Sequence, residues 1–424
     1  MSRYRLTPSH MQEAVLREHC AHARFVWNLA VEQESHWRPG RGKMPGFTER
    51  CRQLTEARAE NPWLAAGSVI VQQQALRDHA QAMAAFFAGI RGRPRWRKAG
   101  RDEGFRVVHI KQGDVRRLSR HVGAVRVPRA GWVRFRWSRA VQANVKSCRI
   151  TKDAAGRWHV AFAAIPSAIK GPGSGNVVGI DRGVVVSAAL STGEMLHAPY
   201  LMAREKRRLV QMQKRLARAQ RASARRERVR LCAARLKARE TDRRKDWAEK
   251  ASTDIARRFD VIRVETLDIK GMTRSAKGNM ERPGRNVRAK TGLNRSILRS
   301  GWGFLVRRLR EKAPGRVEGI PAAFTSQRCS ACGHTAAGSR ESQALYRCVA
   351  CGFACNADVN AAINIAAGHA VTARGRSPLG ERMNREPRPL TFLNRDMSDR
   401  NPLPSGGGGC QTTQKTPLCF PQAG

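Results

Sequence analysis

Two short cysteine pairs, Cys329-Ser-Ala-Cys332 and Cys348-Val-Ala-Cys351, constrain this chain more tightly than any other feature of its sequence. Each Cys-x-x-Cys turn presents two sulfurs from one tight loop. Two such turns supply the four soft ligands that tetrahedral Zn²⁺ requires. Gly333 and Gly352 each follow the second cysteine of a pair, as zinc-knuckle turns prefer. A disulfide or an idle pair is the competing explanation, and the matched glycines argue against it. The pattern predicts a zinc ribbon over residues 328–351, ligated by Cys329, Cys332, Cys348 and Cys351. The other cysteines, Cys20, Cys51, Cys148, Cys232, Cys355, Cys410 and Cys419, show no framework spacing, which suits a reducing cytosol.

A zinc ribbon alone gives no function, and here the charge balance narrows the choice. The 424 residues suffice for two or three domains, and 80 Lys+Arg against 33 Asp+Glu give a formal net charge of +47. Self-repulsion on that scale disfavours a compact state without a polyanion, so nucleic acid is the expected partner. A membrane role is not expected, because no apolar run approaches the length of a spanning helix and Met1-Ser-Arg-Tyr-Arg-Leu6 has no secretory apolar region.

Thr7-Pro8 reads as the cap and first position of a helix, with Met11, Val15, Cys20, Ala23 and Val26 recurring at helical spacing. The Pro/Gly-rich run Arg38 to Gly46 ends it. A second helix is expected from about Ser68 to Ile90, followed by the basic loop Arg91-Gly-Arg-Pro-Arg-Trp-Arg-Lys98. Its cations, Arg91, Arg93, Arg95, Arg97 and Lys98, suit phosphate contact, and Trp96 suits stacking; a solvated loop with Trp96 packed inward is the alternative. From Phe105 to Phe162, five short runs alternate apolar with polar or basic residues and predict strands. Together these segments read as a small barrel with a helical insert. A helix-turn-helix DNA reader is the competing view of the first ninety residues or so, disfavoured by the long gap between the helices.

Lys170 to Asn176 is a glycine-rich boundary. After it, Val177-Val-Gly-Ile-Asp181 places a carboxylate at the end of an apolar strand, a costly position unless the group binds something. An ordinary strand-end turn aspartate is the plainer alternative. Residues from about Met202 to Phe259 read as one long helix or a helical hairpin, with 18 Lys/Arg and four acids between Arg204 and Lys245. That imbalance suits a duplex-lining surface, with Arg207, Arg208, Lys214 and Arg215 among its candidate contacts. Asp260-Val-Ile-Arg-Val-Glu265 again ends a strand in a carboxylate, a basic loop covers Lys270 to Arg288, and a helix is expected from about Leu293 to Lys312. Val317 to Ser326 forms a weak strand into the ribbon, and Asp358 opens a last helix.

Carboxylates on the first and fourth strands and on a late helix describe an RNase H-like nuclease core. The chemistry explains the residue types: two Mg²⁺ ions roughly 3.5–4 Å apart need hard, bridging oxygen ligands for an in-line displacement at phosphorus. Asp181 is the candidate bridging ligand, with Glu265 and Asp358 each completing one metal site.

Several motifs now coincide: Tyr4-Arg-Leu-Thr-Pro8, Arg24-Phe-Val-Trp-Asn-Leu-Ala30, Gln74-Ala-Leu-Arg77, Asn294-Arg-Ser-Ile-Leu298, Gly301-Trp-Gly303, Thr325-Ser-Gln-Arg-Cys-Ser-Ala-Cys-Gly333 and Ala357-Asp-Val-Asn-Ala-Ala-Ile-Asn-Ile365. In them the chain resembles the TnpB family, the RNA-guided nucleases encoded by insertion sequences and related to compact type V CRISPR effectors. The resemblance implies a mixed α/β multidomain fold: a wedge β-barrel with an inserted helical recognition lobe over residues 1–170 (helices about 8–98), then a RuvC-like nuclease over 171–327 and 352–372 around the ribbon. It implies Asp181, Glu265 and Asp358 as the catalytic, Mg²⁺-binding triad, with Mn²⁺ able to replace Mg²⁺. It also implies a guide RNA from the transposon end and cleavage of double-stranded DNA beside a short target-adjacent motif. The expected location is the prokaryotic cytoplasm, at the nucleoid. A non-cleaving DNA-binding regulator and a strand-transfer transposase are the alternatives, and a zinc-bearing ribosomal protein would leave the acids unexplained. Residues 373–424, with Ser405-Gly-Gly-Gly-Gly409, read as a disordered tail.

Overall fold

Pairing of the first strand with a strand more than 150 residues later organises the N-terminal half. The computed structural model describes residues 2–37, 44–101, 103–142, 145–163 and 167–368. Most of the expected break after Arg38, and the whole tail with Cys410 and Cys419, lie outside these residues. Strand β1 (Ser2–Arg5) is followed by helices α1 (His10–His36), α2 (Phe47–Glu60), α3 (Pro62–Ala66) and α4 (Val69–Phe87). Six strands follow: β2 (Gly104–Val108), β3 (Val115–Arg117), β4 (Val122–Val127), β5 (Gly131–Arg136), β6 (Ser147–Lys152) and β7 (Trp158–Ala163). One sheet has the order β1-β7-β6-β2 and a second the order β3-β4-β5. The four helices are therefore inserted between two strands of a single sheet. A bridge from Leu6 to Phe135 joins the sheets. Tyr4 sits between Phe135 and Phe162, with ring centroids 5.3 and 5.5 Å away.

Local chemistry explains where the sequence reading of this half falls short. The cap of α1 is Ser9, not Thr7: its hydroxyl accepts from the Gln12 N–H while the Gln12 side chain accepts from the Ser9 N–H. That reciprocal box satisfies two orphan donors and outcompetes the Thr7-Pro8 start. Helices α2 and α3 were not foreseen. Helix α2 is strongly polar, and its anchor is a buried ion pair between Arg50 and Glu34 of α1 (3.1 Å) that spacing rules do not detect.

The second half is a mixed sheet with helices on both faces. Its elements are β8 (Val177–Asp181), β9 (Ala188–Leu190), β10 (Met195–Leu196), α5 (Ala203–Arg218), α6 (Ala224–Arg258), β11 (Val261–Thr266), α7 (Ile269–Met272), α8 (Val287–Ser300), α9 (Trp302–Lys312) and β12 (Val317–Pro321). A hairpin, β13 (Leu345–Arg347) and β14 (Ala354–Asn356), and helix α10 (Ala357–Ala366) complete it. The sheet order is β10-β9-β8-β11-β12, with β8, β11 and β12 parallel. The long basic stretch is a hairpin, α5 and α6. The expected helix from Leu293 to Lys312 is two helices, because Gly301 adopts a left-handed φ of 79° between α8 and α9.

Alternation along the strands sorts the two faces. Val178 and Ile180 of β8 and Ile262 and Val264 of β11 form one core with Ala248 and Ile255 of α6 and Leu305 and Leu309 of α9. Gly179 and Asp181 face the other way, toward α10. A Cβ on Gly179 would lie 2.0 Å from the Ala362 carbonyl oxygen and 2.4 Å from the Ala366 nitrogen. Only the absence of a side chain lets α10 lie this close to β8. Gly179→Ala is therefore expected to cost about 1–3 kcal/mol, the usual penalty for overpacking against backbone. Denaturant unfolding checks it; an unchanged midpoint would show that α10 is not clamped here.

Candidate active site

The register of the parallel pair β8–β11 sets two carboxylates side by side. Val264 lies opposite Ile180, so Glu265 and Asp181 are the next residues on adjacent strands, on the face covered by α10. The third acid comes from the helix itself. Asn356 caps α10, its side-chain oxygen accepting from the N–H groups of Asp358 (2.9 Å) and Val359 (3.2 Å). Asp358 thus stands in the first turn, where the helix dipole favours a negative charge. Between the strands and the helix runs the turn after Asp181. A Cβ on Gly183 there would meet the Val186 carbonyl at 2.8 Å and the Asp358 carboxylate at 3.9 Å, so the turn passes close to the third acid. The Trp302 indole N–H holds this turn by donating to the Gly183 carbonyl (3.0 Å).

The electrostatics are those of crowded like charges. The Asp181 carboxyl is held well above its usual range, first by burial and then by the charges of Glu265 and Asp358. Burial also raises Asp358, against the Arg340 guanidinium, which donates to its Oδ1 at 3.2 Å. Burial lowers Arg182, whose guanidinium donates to the Glu265 backbone carbonyl. Hard oxygens that repel one another fit a divalent cation such as Mg²⁺, whose charge would offset the repulsion. The three acids interact electrostatically but do not gather as closely as the cysteines do. Arg340 is one polar residue here that sequence reading missed, as it did Arg182: each is one of 80 cations and no motif marks its role.

The four cysteines do converge. Their sulfurs all lie within 4.8 Å of one another, the one such group of three or more His, Cys, Asp or Glu ligand atoms among the described residues. Both knuckles have the same backbone plan. Gly333 (φ 77°) and Gly352 (φ 70°) are left-handed, and each donates its N–H to the carbonyl of the first cysteine of its pair, at 3.0 Å. The backbone N–H of Cys351 pushes the Cys348 thiol down, whereas Cys351, despite the Phe353 N–H, is pushed up by the neighbouring sulfurs. This cluster can hold a metal ion such as zinc.

The basic candidates occupy two other surfaces. The loop 91–98 is held against α1: the Trp27 indole donates to the Arg95 carbonyl (2.9 Å), Asn28 pairs with the Arg97 backbone in both directions, and the Arg97 guanidinium lies 3.7 Å from the Trp27 ring centroid. Arg97 thus turns inward, whereas Arg91, Arg93, Arg95, Trp96 and Lys98 are exposed. Trp96 is 52% exposed, which removes the inward-packed alternative. Arg207, Arg208, Lys214 and Arg215 lie on the exposed side of α5.

The architecture defines the class first. The chain shares its fold with the protein in "Cryo-EM structure of the Cas12f1-sgRNA-target DNA complex", at a TM-score of 0.51 and 12% identity, covering 84% of this chain and 83% of that one. The OrfB_IS605 family model, described as a probable transposase, matches residues 163–276, and the Cas12f1-like TNB domain matches residues 302–365. "Putative RNA-guided DNA endonuclease InsQ" of Escherichia coli (strain K12) is 35% identical over 385 residues, 88% of this chain and 93% of that protein. A "Putative RNA-guided DNA endonuclease" of Streptomyces pristinaespiralis is 29% identical over 382 residues, 88% and 90% of the two chains. This chain belongs to the OrfB_IS605 family of TnpB-type proteins. A helix-turn-helix model also matches residues 2–43, yet residues 2–37 form one strand and one continuous helix.

Cysteine substitution tests the ribbon directly. The double variant Cys329→Ser, Cys348→Ser is expected to lose its bound zinc and several degrees of melting temperature, because ligation contributes folding energy. Elemental analysis and thermal melts measure both; a fully folded, metal-free wild type would remove the zinc assignment.

Proposed function

We propose that this chain is an RNA-guided DNA endonuclease of an insertion sequence, cleaving double-stranded DNA beside a short target-adjacent motif. One observation carries the reading: the β8–β11 register and the cap of α10 bring Asp181, Glu265 and Asp358 into one electrostatically coupled cluster. The names of the relatives support it. Asp181, Glu265 and Asp358 would hold two Mg²⁺ ions, or Mn²⁺ in their place. When bound, the metal supplies an activated water and charge stabilisation for the leaving 3′ oxygen of the phosphodiester.

The chain's own residues do the rest. Asp181, central to the cluster, would hold the metal together with Glu265 and Asp358, the other two acids of the cluster. Arg340 and Arg182 moderate its negative charge before the substrate arrives. The exposed cations of loop 91–98 and of α5 provide nucleic-acid surfaces, with Trp96 free to stack on a base. Base pairing with a guide RNA would select the target, and protein contacts near the N-terminal sheets would read the adjacent motif. In domain terms, residues 1–170 serve as a wedge barrel with its helical insert. Residues 171–327 and 352–372 serve as a RuvC-type nuclease, and 328–351 as a structural zinc ribbon. No helix among the described residues is long and apolar enough to cross a membrane, and the proposed site of action is the cytoplasmic DNA.

The test begins with RNA that co-purifies with the expressed locus, sequenced to define the guide, followed by DNA carrying the matching target. Asp181→Ala is expected to abolish cleavage and retain RNA-dependent DNA binding. Binding should weaken by about 10³-fold or more between roughly 50 and 200 mM salt, as counterion release requires. Undiminished cleavage by Asp181→Ala would remove the metal-site assignment, and joining of DNA ends in place of simple cleavage would favour strand transfer.

A further inference from the structure

Between β12 and the first cysteine knuckle the chain makes a tight turn over residues 323–327, in which Thr325 alone is buried. Phe324 is left-handed (φ 59°), a conformation that a bulky residue adopts only under strain. The carbonyl of this strained residue accepts from the N–H groups of Gln327 (2.9 Å) and Arg328 (3.0 Å). The result is to aim Thr325, 1% exposed, at the strand beside it. The Thr325 hydroxyl donates to the Glu265 carboxylate, Oε1, at 3.2 Å. The Ala322 carbonyl lies at the same 3.2 Å from that hydroxyl. A hydroxyl has one proton to give, and an ionised carboxylate is the stronger acceptor, so the Glu265 bond prevails whenever the acid is charged.

The other end of this turn is fixed to α10. Asn364 donates from Nδ2 to the carbonyls of Thr325 (3.0 Å) and Arg328 (2.7 Å). Asn360, one turn earlier on the same helix face, donates to the Arg328 carbonyl (2.7 Å) and accepts from the Ser330 N–H (3.0 Å). Both asparagines are buried, at 0% and 2% exposure, in a helix whose first turn carries Asp358. A buried amide that satisfies backbone carbonyls can serve packing alone. Here the same turn also carries a hydroxyl to an acid of the cluster, a contact outside the loop's own backbone.

Resting on the nuclease reading, we infer that Thr325 is a positioning residue for Glu265, and that Asn364 and Asn360 hold it there. The acid of the strand and the acid of the helix are then fixed relative to each other through the 325–330 turn. The contribution of Thr325 is the orientation of one carboxylate. The same link explains why the first knuckle begins only four residues after Thr325: the zinc ribbon and the strand acid share one mount.

The experiment compares the full chain with Thr325→Val, which removes only the hydroxyl, and Thr325→Ser, which keeps it. Mn²⁺ affinity is measured by titration followed by electron paramagnetic resonance. Guided cleavage, zinc content and melting temperature are measured on the same preparations. Thr325→Val is expected to bind Mn²⁺ about 10–100-fold more weakly, the usual effect of losing a hydrogen bond behind a metal ligand. It should cleave more slowly at saturating DNA while its zinc content stays at the wild-type level, and Thr325→Ser should restore both within a few-fold. If Thr325→Val does not fold, Thr325→Ala against Thr325→Ser makes the same comparison. Wild-type Mn²⁺ affinity in the hydroxyl-free variant overturns the inference, as does a Thr325→Ser variant as defective as Thr325→Val. A wild-type chain that neither binds Mn²⁺ nor cleaves guided DNA overturns the nuclease reading first, and the inference with it.

Discussion

The rest of the C-terminal half depends on the in-register parallel pairing of β8 with β11. Parallel strands of a sheet end at the same edge, so a carboxylate closing each strand meets its neighbour across one ladder spacing. The arrangement is electrostatically unfavourable, as the raised Asp181 carboxyl records. The hydrophobic core beneath keeps it in place. Val178, Ile180, Ile262 and Val264 pack against α6 and α9 on the opposite face, and a one-residue slip of either strand would exchange buried valines for acids. The register that fixes the core is thus the register that pairs the acids.

The helix that brings the third acid is constrained differently. It is held by close backbone approach at Gly179, by the Arg263 guanidinium, which donates to the Ala366 carbonyl at 2.5 Å, and by its two asparagines on the 325–330 turn. None of these contacts is a large apolar burial. Polar clamps suit a helix that must present a charged residue at the sheet edge, since an apolar face broad enough to anchor α10 alone would also exclude water from Asp358. The four-cysteine cluster just ahead of it could hold a metal ion such as zinc, and the two left-handed glycines make both knuckles possible.

How much of this was legible follows from which interactions are local. The strand ends at Asp181 and Glu265, the paired Cys-x-x-Cys turns and the start of α10 at Asp358 each announce themselves within a few residues. So do five of the six strands between Gly104 and Ala163, because alternation is a local signal; the three-residue β3 is too short to show it. Features that depend on partners far along the chain were hidden. Helix α2 is held by the buried pairing of Arg50 with Glu34, and nothing in its polar sequence advertises that contact. The break at Gly301 was visible as a glycine between two small helices, but the apolar period runs through it and masks the change of direction. Arg340 and Thr325 act across distances of 18 and 60 residues, so only the folded chain relates them to Asp358 and Glu265.

Charge places the last constraint on the molecule. A chain at +47 has cations to spare, yet it delivers only a few to the acids. Arg182 reaches the Glu265 backbone from the strand itself, and Arg340 reaches Asp358 from the ribbon. Among the described residues others are displayed outward, as on α5, where Arg207, Arg208, Lys214 and Arg215 are exposed while the buried Glu205 binds Arg243 of α6 at 2.6 Å. That division has a physical logic. Guanidinium groups crowded around the acids would bind them bidentately and compete with any incoming divalent ion, whereas the same groups on the surface attract a polyanion over a Debye length of about 10 Å. The fold therefore separates two uses of charge, keeping a sparsely neutralised acidic pocket inside a strongly basic surface. That separation favours approach of a polyanion to the surface and leaves the acids uncrowded by guanidinium groups.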